Sequence, residues 1–539
     1  MIILLFLGLN SIVCAESNSV KTTHPQGFKK VSRISWSSNL PTELAPAFER
    51  ERLVLLNKPI DSEQISRSEA ALTKEVRSHG FLIGQAIVST KNRELFWESG
   101  YLEFTVLLGN IGQIEIKNTS SVNTDWIDAL ATHALCPDGL GESCVLTSTN
   151  LERMTQLVFD VAGLQMGALE FSANGVPIGQ TKIIITTIAN GKELNSSLVT
   201  SNQGFSASGR YQLGGATSLT NLLGIGDIVG LSGSVSNQGS FSGGINASGP
   251  LSSNGLRWQS ALIRSQYSVP TVSSVGLGDS FNMGVAYPIV RGLSSNWTAG
   301  LSALEALTSA QTLGVVTSNK TIQSGQILLD GNSGDRSVAL GPNSWYVHST
   351  FSAGQVNDSA VLPSSTQPYG SYKKATLHLA DKFVLDDMRN VYATFSISGQ
   401  VANSNLDPFE KLAVGGSSGM RAYSPAQASF NQGTLSTVDL RQVINSEWGQ
   451  FSPVFFIDYA NGWINHATSA NWQINQGYSN SNLPNHMALS DAGLGLEWAD
   501  LHGFVLSITW ATRLPITPAN LNTANSGNSQ VWLLAKSLF

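Results

Sequence analysis

Residues 415–423 read Gly-Gly-Ser-Ser-Gly-Met-Arg-Ala-Tyr, and residues 455–460, about 35 positions later, read Phe-Phe-Ile-Asp-Tyr-Ala. The first stretch sets one arginine among glycines. The second sets one aspartate, Asp458, in an apolar segment of the kind that forms a β-strand. A charge in the middle of a strand is costly unless it faces water or a partner of opposite charge. Asp458 is therefore expected to face one or the other.

The glycine-rich stretch suits the tip of a folded-back loop. Gly415, Gly416 and Gly419 permit a tight backbone and positive φ angles. Arg421 carries a guanidinium that is always charged, and its planar fork of donors suits a carboxylate. An ordinary exposed loop charge is the alternative interpretation of Arg421, and a solvated carboxylate near a strand end is the alternative for Asp458.

The charged residues of this 539-residue chain are few and unevenly placed. They make up 13% of the sequence, against about 25% in an average soluble protein. In residues 196–539 they are 32 of 344, or 9%, and in residues 1–195 they are 36 of 195, or 18%. The two parts are therefore expected to face different surroundings. A net charge of −6 without a basic run argues against nucleic acid as a partner.

The first 15 residues have the pattern of a secretory signal peptide. An apolar run from Ile2 to Leu9 is followed by Val13-Cys14-Ala15. A short buried helix is the alternative interpretation. No later stretch approaches the ~18 uninterrupted apolar residues of a membrane-spanning helix. Low charge, abundant Gly, Ser and Asn, and alternating apolar residues in an exported chain predict a membrane β-barrel instead.

Two cysteines, Cys136 and Cys144, remain after the predicted signal peptide. An even pair in an oxidising compartment predicts a disulfide, and a loop this short gives roughly 2–3 kcal/mol by the chain-entropy model. Two free thiols are the alternative. No cluster of histidines lies near them in the sequence, which argues against a metal site.

Residues 415–423 and 455–460 together resemble the signature of the two-partner-secretion outer-membrane transporters, the TpsB family. That family carries a Gly-Gly…Val-Arg-Gly-Tyr motif at the tip of its sixth loop and a Phe-x-Asp-x-Gly motif on the barrel wall. The resemblance implies that the loop arginine reaches into the lumen and pairs with the wall aspartate, as a latch. It assigns Gly415, Gly416, Gly419, Arg421 and Tyr423 to the loop, and Phe456 and Asp458 to the wall. Ala422 and Ala460 stand where the family has glycine.

Other landmarks resemble the family's periplasmic POTRA domains and its barrel entrance. Gly80-Phe81 and Ser99-Gly100-Tyr101-Leu102 are similar to POTRA landmarks, and Asp160-Val161-Ala162-Gly163-Leu164 is similar to a turn of the second such domain. Residues 202–227 are similar to the start of the barrel. The expected organisation is a signal peptide (1–15), a linker (16–30), POTRA domain 1 (31–109), POTRA domain 2 (110–190) and a barrel (192–539) whose loop six spans about 404–435.

The predicted fold is α+β POTRA domains followed by a transmembrane antiparallel β-barrel. The resemblance implies 16 strands, whereas strand spacing alone allows about 14 to 18. The terminal Phe539 closes an alternating strand and is the predicted signal that the barrel-assembly machinery reads. Two segments, 101–106 and 181–188, are candidate edge strands of the POTRA domains, where an extended client could add a strand. Their alternative role is in the core of the sheet.

The resemblance implies an outer-membrane transporter that captures an unfolded exoprotein of the TpsA type through its POTRA domains and secretes it through the barrel. Expected partners are this client, outer-membrane lipid and the barrel-assembly machinery. The chain is expected to be a monomer with no cofactor and no nucleic-acid partner. Enzyme signatures are absent from the sequence, so catalysis is not expected. The alternatives are a barrel-assembly insertase of the same superfamily, a passive porin and, last, a surface adhesin.

Overall fold

A computed structural model describes residues 27–37, 40–141, 143–177, 179–334, 343–359, 370–425, 428–475, 483–515 and 528–539. The predicted signal peptide and residues 16–26 of the predicted linker lie outside this part of the chain. Within it, no helix is long and apolar enough to cross a membrane.

The first compact unit contains the chain up to Asn110 and two short later segments, Val145–Ser148 and Pro177–Gln180. Its elements are β1 (Lys29–Lys30), β2 (Arg33–Trp36), α1 (Ala45–Leu55), β3 (Pro59–Ile60), α2 (Ser62–Ser78), β4 (Gln85–Ile87), α3 (Thr90–Ser99) and β5 (Tyr101–Leu107). Helix α2 begins at a capping box, in which Asp61 and Gln64 exchange side-chain and backbone hydrogen bonds. The helices cover a sheet with the order β2-β5-β4, and Phe48, Phe96 and Phe104 fill the core between them.

The second compact unit begins at Ile111 and contains another small α+β module and the barrel. The module consists of β6 (Asn110–Asn118), α4 (Thr124–Leu135), α5 (Ser148–Phe159), β7 (Leu164–Ser172) and β8 (Gln180–Ala189). Its sheet has the order β6-β8-β7. Cys136 and Cys144 are joined in a disulfide between the two helices.

Both strands predicted as candidate edges are central in their sheets, so that prediction was wrong. The segment 101–106 lies in β5, between β2 and β4, and 181–188 lies in β8, between β6 and β7. Their strict alternation of buried apolar residues reflects packing against the helices rather than an available edge. The edges of the two sheets are β2 and β4 in the first module, and β6 and β7 in the second.

Residues 194–538 form a closed antiparallel barrel of 16 strands, as predicted. The first 11 barrel strands are β9 (Leu194–Ser201), β10 (Gln212–Thr220), β11 (Ile228–Ser236), β12 (Phe241–Pro250), β13 (Arg257–Val269), β14 (Ser274–Arg291), β15 (Asn296–Thr312), β16 (Val315–Asn332), β17 (Asn343–Asp358), β18 (Gly370–Val384) and β19 (Val391–Ala402). Two short strands in the next loop, β20 (Leu412–Ala413) and β21 (Ser429–Phe430), are not part of the barrel. The last five barrel strands are β22 (Gln432–Gln442) with its continuation β23 (Ile444–Ser446), β24 (Gly449–Trp463), β25 (His486–Ala499), β26 (Phe504–Arg513) and β27 (Ser529–Leu538). The 3₁₀ turns Pro270–Val272 and Pro408–Glu410 and a short helix, Trp472–Asn475, lie between strands.

The outer face of the barrel is apolar, as lipid contact requires. On β24 the outward residues Phe455, Ile457 and Tyr459 are exposed, whereas the residues between them are buried in the interior. The barrel closes where β27 pairs with β9, from Leu534 opposite Ser201 to Leu538 opposite Ser197. Closure removes the unpaired edges that could not exist within a bilayer.

The second module is fixed to the barrel rim by arginines. The guanidinium of Arg291 donates to both carboxylate oxygens of Asp160, at 2.9 and 2.7 Å, and Arg257 donates to the backbone carbonyl of the same residue at 3.0 Å. Arg153 on α5 donates to the carbonyl of Pro288 at 3.0 Å. The turns β12–β13 and β14–β15 therefore mark the module's end of the barrel. Because the strands alternate in direction, β19 ends at the opposite rim.

Candidate functional site

The loop between β19 and β22, residues 403–431, is called loop six here and was predicted at about 404–435. Its arms pair with each other through β20 and β21. The tip folds back on itself, with Gly416 N–H donating to the carbonyl of Tyr423 at 2.9 Å and Met420 N–H donating to that of Val414 at 2.7 Å. Tyr423 and Met420 are fully buried against inward-facing residues of the barrel. The tip of loop six therefore lies inside the lumen.

The three glycines predicted for the tip are required by its geometry. Gly416 has a φ of 111°, a conformation that favours glycine. A Cβ on Gly415 would lie 2.4 Å from the carbonyl oxygen of Ser424, and one on Gly419 would lie 2.4 Å from that of Val414. By contrast, the methyl of Ala422 is fully buried without displacing the tip.

Arg421 and Asp458 meet in the lumen. Nε of Arg421 lies 3.1 Å from Oδ2 of Asp458, and its Nη2 lies 3.1 Å from Oδ1, which is a bidentate pairing. The Asp458 side chain is completely buried, and that of Arg421 is 12% exposed. The aspartate therefore faces its cationic partner and not water, in contrast to the solvated alternative.

A second carboxylate, that of Asp439, also pairs with the Arg421 guanidinium. Nη2 of Arg421 lies 2.6 Å from Oδ1 of Asp439 on β22, the strand that pairs with β24. The Arg421 backbone carbonyl also accepts a hydrogen bond of 2.7 Å from the indole N–H of Trp532 on β27. The tip is thus attached to strands on both sides of β24.

The face of the guanidinium lies on an aromatic ring. The Arg421 Cζ atom is 3.7 Å from the centroid of Phe456, the other wall residue predicted for this site. The ring lies over Gly493 on β25, where a Cβ would come within 2.4 Å of its Cζ atom. Gly493 therefore leaves the space in which Phe456 supports the arginine.

Two further wall residues hold the backbone of the tip. Asp491 on β25 lies opposite Asp458 in register, and its Oδ2 accepts the Ala422 N–H at 3.0 Å. Arg513 on β26 donates to the Ala422 carbonyl at 3.4 Å and lies 4.4 Å from the Tyr423 ring centroid. Two arginines thus face three aspartates, all within the barrel interior.

Sequence reasoning missed Asp439, Asp491, Arg513 and Trp532. The signal that singled out Asp458, a lone charge in an alternating strand, is present at the three charged positions as well. What the sequence lacked was the register that brings these strands together. Elsewhere, Phe539 exchanges two backbone hydrogen bonds with Ser196 at the barrel seam. No group of His, Cys, Asp or Glu in the described ranges is arranged to hold a metal ion.

The barrel belongs to a known family of proteins. Residues 179–481 match the family described as haemolysin secretion/activation protein ShlB/FhaC/HecB. The chain belongs to this family. It is therefore a TpsB-type two-partner-secretion transporter of the bacterial outer membrane, as the motifs predicted, and such transporters work with secreted exoproteins.

Individual relatives are distant in sequence. The heme/hemopexin transporter protein HuxB of Haemophilus influenzae strain Rd is 23% identical over 497 residues, which cover 89% of this chain and 81% of the relative. The solved structure of CdiB from Escherichia coli has a TM-score of 0.72 at 18% identity, over 98% of this chain and 93% of that one. CdiB from Acinetobacter baumannii has a TM-score of 0.66 at 15% identity, over 98% and 92% of the two chains. At these identities the structural likeness supports the fold.

Proposed function

We propose that this transporter captures an unfolded exoprotein through its two α+β modules and passes it, extended, through the barrel to the cell surface or medium. The observation that carries the proposal is the attachment of the loop-six tip to the lumenal wall by Arg421, Asp458 and Asp439. A loop held across the lumen by buried ion pairs has to shift before a chain can pass. Arrival of the client would provide that shift.

We propose that the two modules are POTRA domains, predicted at 31–109 and 110–190, and that they lie in the periplasm. A client could add a strand to one of their edges. The edges of the second module, β6 and β7, have nine residues each, whereas β2 and β4 of the first have four and three. We therefore place the main client contact on the second module, where a longer ladder of backbone hydrogen bonds can form.

The remaining partners follow from the barrel. Its apolar outer face would contact outer-membrane lipid, and Phe539 at the seam would be read by the barrel-assembly machinery during insertion. We propose a monomer that transports without catalysis, cofactor or nucleic acid. Folding of the client outside the cell would then supply the driving force.

The test is secretion of the large exoprotein encoded beside this gene, in a host with and without the transporter. Exoprotein in the medium only when the transporter is present supports the proposal. Exoprotein retained in the periplasm in both hosts would contradict it, and loss of other barrels from the outer membrane would favour the insertase. Arg421→Ala is expected to abolish most secretion.

Arg264→Ala is the matched control for this variant. Arg264 also pairs bidentately with an aspartate, Asp279, across neighbouring barrel strands at 2.8 and 2.9 Å, but its side chain is 65% exposed and away from loop six. Secretion should persist in this control. Wild-type secretion by Arg421→Ala would refute the role of the latch.

A further inference from the structure

The first arm of loop six, before β20, is fastened to the barrel wall separately from the tip. Nζ of Lys320 on β16 lies 2.7 Å from Oδ2 of Asp407, and both side chains are only 7% exposed. Nζ of Lys374 on β18 lies 2.6 Å from Oε2 of Glu410, whose side chain is 3% exposed. These two ion pairs are defined here as the root of loop six.

The root and the tip are attached to different arcs of the barrel. The root binds β16 and β18, whereas the tip binds β22, β24, β25, β26 and β27. In the order of the closed barrel these two sets of strands are separated by β19 and do not overlap. Loop six therefore has two separate sets of ion pairs with the wall, although Asn405 and Lys411 of the same arm also hydrogen-bond the segment after β24.

Hydrogen bonds fix the backbone that carries the two carboxylates of the root, Asp407 and Glu410. Asp407 caps the 3₁₀ turn Pro408–Glu410 through its other oxygen, which accepts the Phe409 N–H at 3.0 Å. Gln400 on β19 donates to the carbonyls of Glu410, at 3.2 Å, and Asn431, at 3.1 Å, so it ties the two arms together.

Apolar side chains pack around the root of loop six and exclude water from it. Leu406, which is 1% exposed, lies in a cluster with Ile322, Val356 and Tyr372 from β16, β17 and β18. Its backbone N–H donates to Oδ1 of the fully buried Asn431 at 2.9 Å. The lysines are thus held in a largely dry environment, where an ion pair persists only if both partners stay in place.

Burial of two ion pairs is unusual in a barrel region in which only 9% of residues are charged. A buried pair gives little net stability compared with apolar packing, but it penalises any arrangement that separates its charges. The pairs therefore specify where the loop begins its path through the lumen, rather than adding to the stability of the barrel.

We propose that Lys320 and Lys374 are positioning residues for transport, and that they form a second latch which releases independently of Arg421. This rests on the proposed role of loop six as a movable obstruction. With the root closed, breaking the tip contacts swings the tip aside while the loop stays anchored in the lumen. Full withdrawal of the loop requires the root to open as well.

The test uses cysteine reporters in the purified, full-length protein, labelled with a membrane-impermeant maleimide. Leu406→Cys reports the root and Met420→Cys reports the tip, because both side chains are buried in the latched loop. Lys320→Met or Lys374→Met should raise the labelling rate of Leu406→Cys several-fold and leave that of Met420→Cys unchanged. Arg421→Ala should raise the labelling rate of Met420→Cys and leave that of Leu406→Cys unchanged. Lys373→Met, which alters an exposed neighbouring lysine, is the control and should change neither.

Two further variants separate the ion pair from a general loss of folding. Lys374→Glu with Glu410→Lys restores a pair in reversed order without removing the Asp407 cap of the 3₁₀ turn, and it should keep labelling of Leu406→Cys slow. Lys320→Met with Asp407→Asn leaves no unpaired charge, so the barrel should fold while the root opens. Folding of each variant is checked by the heat-dependent shift of the barrel on gels.

Three outcomes would overturn the second latch. The first is that Lys320→Met and Lys374→Met label Leu406→Cys no faster than Lys373→Met does. The second is that every variant changes the labelling rates of both reporters together. The third is that the charge-exchanged variant still labels Leu406→Cys fast. Since labelling needs no client, it is independent of secretion. If both reporters label as expected but Arg421→Ala secretes normally, the proposed function is refuted and the second latch is not. If Arg421→Ala loses secretion but the labelling rate of Leu406→Cys never changes, the second latch is refuted and the proposed function is not.

Discussion

Arg421 lies closer to Asp439 than to Asp458, since its Nη2 is 2.6 Å from the Asp439 carboxylate and 3.1 Å from that of Asp458. The two aspartates occupy neighbouring strands, β22 and β24. Asp458 is completely buried, whereas the Asp439 side chain is 27% exposed. The shorter contact is therefore the more hydrated one, and distance alone does not rank the two interactions. Burial makes Asp458 the partner whose loss should matter more.

Asp458→Ala and Asp439→Ala are expected to differ in loop release. Loss of Asp458 breaks a buried pair and should favour release by roughly 3–5 kcal/mol. Loss of Asp439, which water partly screens, should favour it by about 1 kcal/mol. Single-channel recording of the purified protein in planar bilayers measures the open fraction, with Asp279→Ala as the control. Equal open fractions in the two variants would contradict this ranking.

Gly493→Ala should disturb the site without touching a charge. The added methyl would meet the ring of Phe456 at 2.4 Å and the carbonyl of Trp510 at 2.0 Å, so the ring must move out from under Arg421. We expect most secretion to be lost. Gly495→Ala, two residues along the same strand, meets no atom closer than 3.3 Å and is the control. Gel mobility before and after heating shows whether each barrel is folded, and wild-type secretion by a folded Gly493→Ala variant would refute the packing argument.

The strands and most helices could be predicted because their patterns are local. The apolar stretch 455–460 indicates a strand and lies in β24, Gly449–Trp463. The polar cap Asn123 likewise marks the start of α4, Thr124–Leu135. Helix α1 is harder to recognise in the sequence because its N-cap, Leu44, offers no polar side chain. Helix α3 is hard to recognise because its cap, Ser89, lies two residues after the short strand β4.

The candidate site was only partly predictable, because its contacts join distant strands. Alternation along a strand puts positions 456 and 458 on one face, and both side chains are buried in the lumen. The partnership of Arg421 with Asp458 came from resemblance to a family motif. Asp439 and Asp491 belong to the site only because β22 and β25 flank β24 in register, which a single sequence does not reveal.

The pairing of Glu115 with Lys182 across β6 and β8 should depend on pH. The hydrogen bond from Lys182, with the nearby positive charges, lowers the pKa of Glu115 against a smaller effect of desolvation. A lowered carboxyl pKa contributes stability above the unfolded value of about 4.3, and this is lost as the pH falls through the folded pKa. Hydrogen exchange of β6 should therefore be faster in Glu115→Gln than in wild type at neutral pH, and the same in both under strong acid. Glu170→Gln on β7 is the control, and an equal difference at both pH values would contradict the linkage.

Asp160→Ala should loosen the second module at the barrel rim. It removes the carboxylate that accepts two hydrogen bonds from Arg291, whose side chain is 12% exposed, at an expected cost of about 1–3 kcal/mol. Because Asp160 directly follows α5, amide exchange at the end of that helix should become roughly 5- to 140-fold faster, since each 1.4 kcal/mol corresponds to a factor of ten. Asp128→Ala, an exposed change on α4 of the same module, should leave α5 unaffected. Unchanged exchange in Asp160→Ala would contradict this prediction. It would mean that the contacts of Arg153 and Arg257 hold the module at the rim without the ion pair between Arg291 and Asp160.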